Sequence, residues 1–174
     1  VQVQTIISRS IDPIDSGVIT LGKIEAGTIR NVIAGHARIE GTIRGLTQDM
    51  ILLIDRRLQE VCNGIQASFG VKVKLGLNQG GYWPVENNPE LTKRFIRYMH
   101  DTPTVNFIET KPAMTGEDFG YLLAKFPGTM FWLGVDDDSQ LHSATLTPNE
   151  AAIQRGVDAI TGFLDYRMNV KEEQ

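Results

Sequence analysis

The sequence predicts a mixed α/β protein in two parts, an incomplete ferredoxin-like unit over residues 1–80 followed by a piece of a layered α/β sheet over residues 81–174. Three observations predict it. Residues 18–78 carry the periodicities of strand, strand, helix and strand, which is most of the βαββαβ order of a ferredoxin-like sandwich. A turn-rich stretch, residues 78–88, then breaks both the period of two and the period of 3.6, and marks a domain boundary. Beyond it the patterns alternate as α, β, α, β, α, the order of a layered sheet.

Residues 1–10 alternate through Val1, Val3, Thr5 and Ile7 as a strand would, while Ile6 and Arg9 suit the tail of a helix equally, so periodicity leaves both open. The run 18–24 reads as a strand closed by Gly27. A second strand follows from His36, with Ala37, Ile39, Gly41 and Ile43 on one face and His36, Arg38, Glu40, Thr42 and Arg44 on the other, the alternation of a half-buried antiparallel strand. Thr47 is a helix N-cap, Met50, Ile54, Leu58, Val61, Ile65 and Phe69 recur at helical spacing, and Gly70 is placed to terminate. Val71, Val73, Leu75 and Leu77 then return to a period of two.

In the second part, Asn88 with Pro89 opens a helix whose face is Leu91, Phe95, Ile96 and Met99, and Asp101 and Pro103 end it. A short strand is expected over 105–108. Thr115 and Asp118 resemble a capping box for a helix running to Phe126, with Pro127-Gly128 as the stop. Residues 129–135 are apolar on both faces, as in a central strand. Thr147-Pro148-Asn149-Glu150 is a second capping box, and Ile153, Val157, Ile160 and Leu164 supply the face of the last helix.

Composition narrows the function. With 174 residues, 41% of them hydrophobic and 22% charged, the chain can bury a core without disulfides, and the single Cys62 makes no internal bridge. No 18-residue apolar run or basic-then-apolar leader is present, and the expected compartment is the cytoplasm. A net charge of −4, from 17 basic and 21 acidic residues, argues against a nucleic-acid partner. Three histidines, at 36, 100 and 142, and one cysteine give no local ligand pair, so a self-contained zinc site is not expected.

His142 is the strongest candidate for chemistry, because it lies on the loop between an apolar strand pattern and a capped helix, where α/β sheets collect sites; a surface histidine is the plain alternative. Asp136, Asp137 and Asp138 lack the alternate spacing of a hard-cation loop and read as a solvated acidic loop. Glu117 and Asp118 are expected in the first turn of a helix, as capping carboxylates. Arg44 suits bidentate recognition of a carboxylate or plain solvation, and Asn31 reads as a turn residue. His100 sits where a cation favours a helix C-terminus, Cys62 on an apolar helix face, and Tyr82 with Trp83 at the junction of the two parts. There is no phosphate loop, nucleophile elbow or Cys-pair motif.

Read as a series, residues 26–33 (AGTIRNVI), 41–44 (GTIR), 115–119 (TGEDF) and 141–143 (LHS) resemble the M20 metallopeptidase family, in its amidohydrolase branch of enzymes acting on N-acyl amino acids. Residues 114–126 and 141–153 are most similar to the members that deacetylate N-acetyl-L,L-2,6-diaminopimelate. The resemblance covers essentially the whole chain and implies that it is the C-terminal part of a longer enzyme. Residues 1–80 would be the lid and dimerisation domain without its first strand and most of its first helix, and 81–174 the last segment of the catalytic domain. It implies a divalent metal, Zn, Mn or Co, and water attacking an amide carbonyl with the help of a general-base carboxylate. Of the family's metal ligands it matches only His142; it matches Asn31 and Arg44 to substrate-binding positions, Arg44 holding a carboxylate; and it places no catalytic residue in this chain. Ala34-Gly35-His36 departs from the Pro-Asp that often follows Asn-Val-Ile in the family. The expectation is a homodimer formed through the lid, with a small N-acyl amino acid as substrate, no nucleic-acid or membrane partner, no activity from this chain alone and no tightly bound metal. The alternatives are another aminoacylase or hippurate hydrolase, or a non-catalytic ferredoxin-like dimerisation or binding module.

Overall fold

The computed structural model describes residues 1–77, 83–102 and 105–169, which form a mixed helix and strand protein. The chain divides into two compact units, Val1–Glu86 with Pro112–Lys125, and Asn87–Lys111 with Phe126–Gln174. A single cut after residue 80 differs from this division at two segments, 81–86 and 112–125, both of which belong to the first unit. Residues 112–125 join the first unit because β4 (Gly116–Glu117) pairs antiparallel with β3 (Trp83–Pro84) and Tyr121 meets the Trp83 ring edge-on. Trp83 therefore packs inside the first unit; Tyr82 lies outside the described residues.

In the first unit the ambiguity of residues 1–10 resolves as a helix, α1 (Gln2–Ser10). Val3, Ile6 and Ile7 fall on one helical face, Ile6 is 2% exposed, and the face packs on a core of Ile19, Met50, Ile54 and Leu58. The strands β1 (Gly17–Ala26) and β2 (Ala37–Gly45) form an antiparallel hairpin. Register shifts between Leu21 and Lys23, so Gly22 is an extra residue in β1. Ile19 faces Ile43, Leu21 faces Gly41 and Ile24 faces Ile39, all on one side of the ribbon; Lys23 with Glu40 and Glu25 with Arg38 line the other. The expected alternation is present, but only its base is buried: Ile19 is 6% exposed, whereas Ile24 and Ile39 are 66% and 55% exposed.

The helix α2 (Gln48–Phe69) follows the sequence expectation at both ends. The Thr47 hydroxyl accepts from the Met50 N–H at 3.2 Å, and Gly70 adopts φ 67°, where its N–H donates to the Gln66 carbonyl. Residues 71–77 do not form the expected third strand. Alternation persists weakly, with Val73 and Leu75 partly buried, yet no described segment lies alongside to complete a ladder.

In the second unit α3 (Pro89–Asp101) begins as expected, with the Asn88 side chain accepting from the Leu91 N–H at 2.9 Å. Phe95 and Met99 are buried against Ala159 and Phe163 of α5 (Ala151–Asn169), and Phe107 and Phe131 complete the core. Residues 105–108 and 129–135 are not strands. A strand apolar on both faces needs neighbours; in their place the Asn87 amide holds the Met130 peptide, donating to its carbonyl at 2.9 Å and accepting its N–H at 2.8 Å. Trp132 and Leu133 are exposed.

Two further expectations are corrected. The Thr115 capping box does not form: Glu117 lies in β4, and the helix that follows, α4 (Phe119–Leu123), is a single turn without a side-chain cap. Gly120 is the reason the chain runs so closely there, since a Cβ would collide with the Trp83 carbonyl. On α5 the buried face is Ala152, Gly156, Ala159 and Phe163, while Ile153, Val157, Ile160 and Leu164 are exposed. Small residues let α5 approach the Tyr98 ring of α3, whose hydroxyl occupies the space of a Cβ at Gly162. No helix among the described residues is long and apolar enough to cross a membrane.

Candidate functional site

The loop before α5 carries a dense polar network. The Asn149 N–H donates to the Val135 carbonyl at 2.8 Å, closing a loop over residues 135–149, and the Asn149 side chain then accepts from the Ala151 N–H at 3.0 Å to start the helix. Asn149 thus does the work expected of Thr147. Thr147 instead turns to Asp137, whose Oδ2 accepts from its N–H at 2.8 Å and its hydroxyl at 3.0 Å; Oδ1 accepts from the Ser139 N–H at 2.6 Å. The Ser139 hydroxyl, followed by the Thr147 and Ser139 amides, holds the Asp137 carboxyl at a pKa of about 2, below the usual 3.8. Asp136, at φ 53°, pairs with Arg155 at 2.6 Å.

His142 sits on this loop with φ 66°, an uncommon backbone for a residue with a Cβ. Its side chain is exposed and makes no hydrogen bond among the described residues. The acidic loop is consequently more than a solvated run: Asp136 and Asp137 organise the backbone that carries His142. The sequence signal for this was the Asp-x-Ser spacing of an Asx turn, with Thr147 ten residues on.

In the first unit, Arg44 is on the charged side of the hairpin and its Nη1 donates to the Met114 carbonyl at 2.8 Å. Asn31 is in the turn at the opposite end of the ribbon. The strand between Ala37 and Arg44 alone puts roughly 24 Å between them, so they do not form one small pocket. A hollow of about 360 Å³ beside α1 and α2, lined by residues such as Ser10, Arg57, Val61 and Phe69, includes neither of them. His100 pairs with Glu109 at 3.1 Å and packs edge-on against Phe107, a structural setting. Cys62 is partly buried on α2.

An open imidazole suits a divalent first-row metal as one donor. Among the described residues no group of three or more His, Cys, Asp or Glu side chains could hold a metal ion, so His142 is a single donor and not a site.

Residues 5–166 match the family model described as peptidase family M20/M25/M40. The chain belongs to that family. It is 84% identical over 167 residues to the N-acetyldiaminopimelate deacetylase of Limosilactobacillus reuteri, which covers 96% of this chain and 44% of the relative. The corresponding deacetylase of Limosilactobacillus fermentum is 74% identical over 99% of this chain and 45% of its own length; that of Pediococcus pentosaceus is 58% identical over 97% and 44%. This M20 chain therefore spans less than half the length of the curated relatives it matches. Among solved structures, a protein from methicillin-resistant Staphylococcus aureus described as a "putative aminohydrolase" superposes with a TM-score of 0.79 at 25% identity, covering 94% of this chain and 43% of the other. A dinuclear metal binding peptidase of the M20 family from Bacillus subtilis shares the fold, with a TM-score of 0.72 at 21% identity over 94% and 48%.

Proposed function

We propose that this chain is the C-terminal part of a metal-dependent amidohydrolase that hydrolyses N-acetyl-L,L-2,6-diaminopimelate to L,L-diaminopimelate and acetate, a step in lysine biosynthesis in the cytoplasm. The observation that carries the reading is the identity with the Limosilactobacillus reuteri deacetylase across nearly the whole chain. In this reading residues 1–80 are an incomplete ferredoxin-like lid and 81–174 the last segment of the catalytic portion. His142 donates to a divalent metal, Zn, Mn or Co, held mainly by residues outside this chain. Arg44 offers the guanidinium donors left over from Met114 to a substrate carboxylate, and Asn31, at the far end of the hairpin, serves a different substrate molecule, as two active sites of a homodimer would allow. Two features of the ribbon support a homodimer through the lid: among the described residues no further strand pairs with either outer edge, and its apolar side is open at Ile24 and Ile39.

The test compares the 174-residue chain with the longer parent, each given Zn²⁺, Mn²⁺ or Co²⁺ and the acetylated substrate. Acetate release is expected from the parent only, and His142→Ala in the parent should lower it at least a hundredfold. Measurable turnover by the 174-residue chain would overturn the assignment of the remaining ligands and the base to residues outside it. A parent that cleaves hippurate but not the diaminopimelate derivative would replace the substrate.

A further inference from the structure

We propose that Asp137 is a positioning residue that fixes the backbone and direction of His142 by tying together the two ends of loop 137–147. His142 adopts φ 66° without a hydrogen bond of its own among the described residues, so its neighbours must hold it there. One carboxylate does most of the holding. Asp137 Oδ1 takes the Ser139 N–H, and Oδ2 takes both the N–H and the hydroxyl of Thr147, so a single side chain joins positions ten residues apart. Inside that closure, Ser143 Oγ and Thr145 Oγ1 share a hydrogen at 2.7 Å, and the Leu146 N–H donates to the Ser143 carbonyl at 3.2 Å. His142 rides at the tip of this small cage.

The same geometry removes the competing idea of a cation bound by the three aspartates. Both Asp137 oxygens are occupied by N–H and O–H donors, and Asp136 is paired with Arg155. Two of the loop's three carboxylates are thus engaged in building the loop itself. Charge matters to the clamp, because an ionised carboxylate accepts several donors more strongly than an amide oxygen would. The depressed Asp137 pKa agrees with a carboxylate that stays ionised. The functional weight of the placement rests on His142 being the metal donor proposed above; the placement itself does not.

The experiment has two arms. In the 174-residue chain, NMR follows the exchange of the Thr147 amide and the HN–Hα coupling of His142, with the Phe163 ring signals as the control for an intact core. Asp137→Ala is expected to speed Thr147 exchange about tenfold and move the His142 coupling toward a coil average. Asp137→Asn, which keeps one acceptor oxygen, should recover part of both. Thr147→Val removes only the hydroxyl donor and should shift His142 in the same direction by less, so it carries the test should Asp137→Ala lose the core. Exchange within twofold of wild type and an unchanged His142 coupling in these variants would overturn the proposal. In the parent, Co²⁺ binding followed by its visible absorption should weaken about tenfold in Asp137→Ala. A loosened loop with unchanged Co²⁺ affinity would uphold the positioning role and overturn His142 as the metal donor.

Discussion

The helices α2 and α5 are of similar length and both carry a stripe of large apolar residues, yet they bury opposite kinds of face. In α2 the large side chains Met50, Ile54 and Leu58 enter the core, against α1 and the base of the hairpin. In α5 the small residues Ala152, Gly156 and Ala159 enter with Phe163, and Ile153, Val157, Ile160 and Leu164 remain open. The neighbour decides. Aliphatic partners leave room for Ile54, whereas the aromatic side chains Phe95 and Tyr98 of α3 already fill the space and admit a backbone stripped of bulk.

The contrast can be broken most sharply at its centre. Ile54 is fully buried, and Ile54→Ala should lower the stability of the first unit by about 2–5 kcal/mol in urea unfolding. Caps come next: Thr47→Ala on α2 and Asn149→Ala on α5 should each remove about 1 kcal/mol, read by the same unfolding curves, and equal losses would show that the two helices differ in packing and not in initiation. Ile160→Ala, at a position 51% exposed, should change stability by no more than about 0.5 kcal/mol. A loss comparable to that of Ile54→Ala would mean that the large stripe of α5 is covered in solution.

The smallest effect is a pH response confined to the loop before α5. The folded-state pKa of Asp137 is lowered to about 2 from 3.8, so its contribution is present above about pH 4 and is lost as pH falls from there toward 2. Amide chemical shifts of Thr147 and Ser139 should move through that window while those of Met50, at the start of α2, hold. Movement of the Thr147 signal centred well above pH 4 would contradict the clamp.

These differences also show which features a sequence displays on its own. Thr47, Gly70, Asn88 and Pro89 were legible because capping is decided within a turn of the residue itself. The α5 face was not, because periodicity weighs residues by size and cannot see the aromatic helix that makes Ala159 and Phe163 the buried side. The strands expected at 71–77, 105–108 and 129–135 failed for a related reason: alternation is local, but a ladder needs a partner distant in sequence. Of the candidate site, His142 was placed on the correct loop by pattern, while its left-handed backbone and the Asp137 tether depend on hydrogen bonds spanning ten residues. Arg44 was assigned to a strand face correctly, and its bond to the Met114 carbonyl, seventy residues away, left no mark in the spacing.

The extra residue Gly22 in β1 has a consequence for how this protein can change. Ile19, Leu21 and Ile24 are unevenly spaced in sequence, and only the bulge brings them into phase with Ile43, Gly41 and Ile39. Deleting Gly22 would leave a perfectly regular strand in the same register, with Lys23 still facing Glu40 and Ile24 still facing Ile39. Flattening the bulge while keeping Gly22 would do the opposite, because Gly22 would then pair with Glu40, Lys23 would meet the apolar row and Ile24 the charged one. Gly22 thus acts as a spacer that keeps an out-of-step sequence in frame, so which side of the ribbon is oily is set by the bulge and not by the composition of the strand.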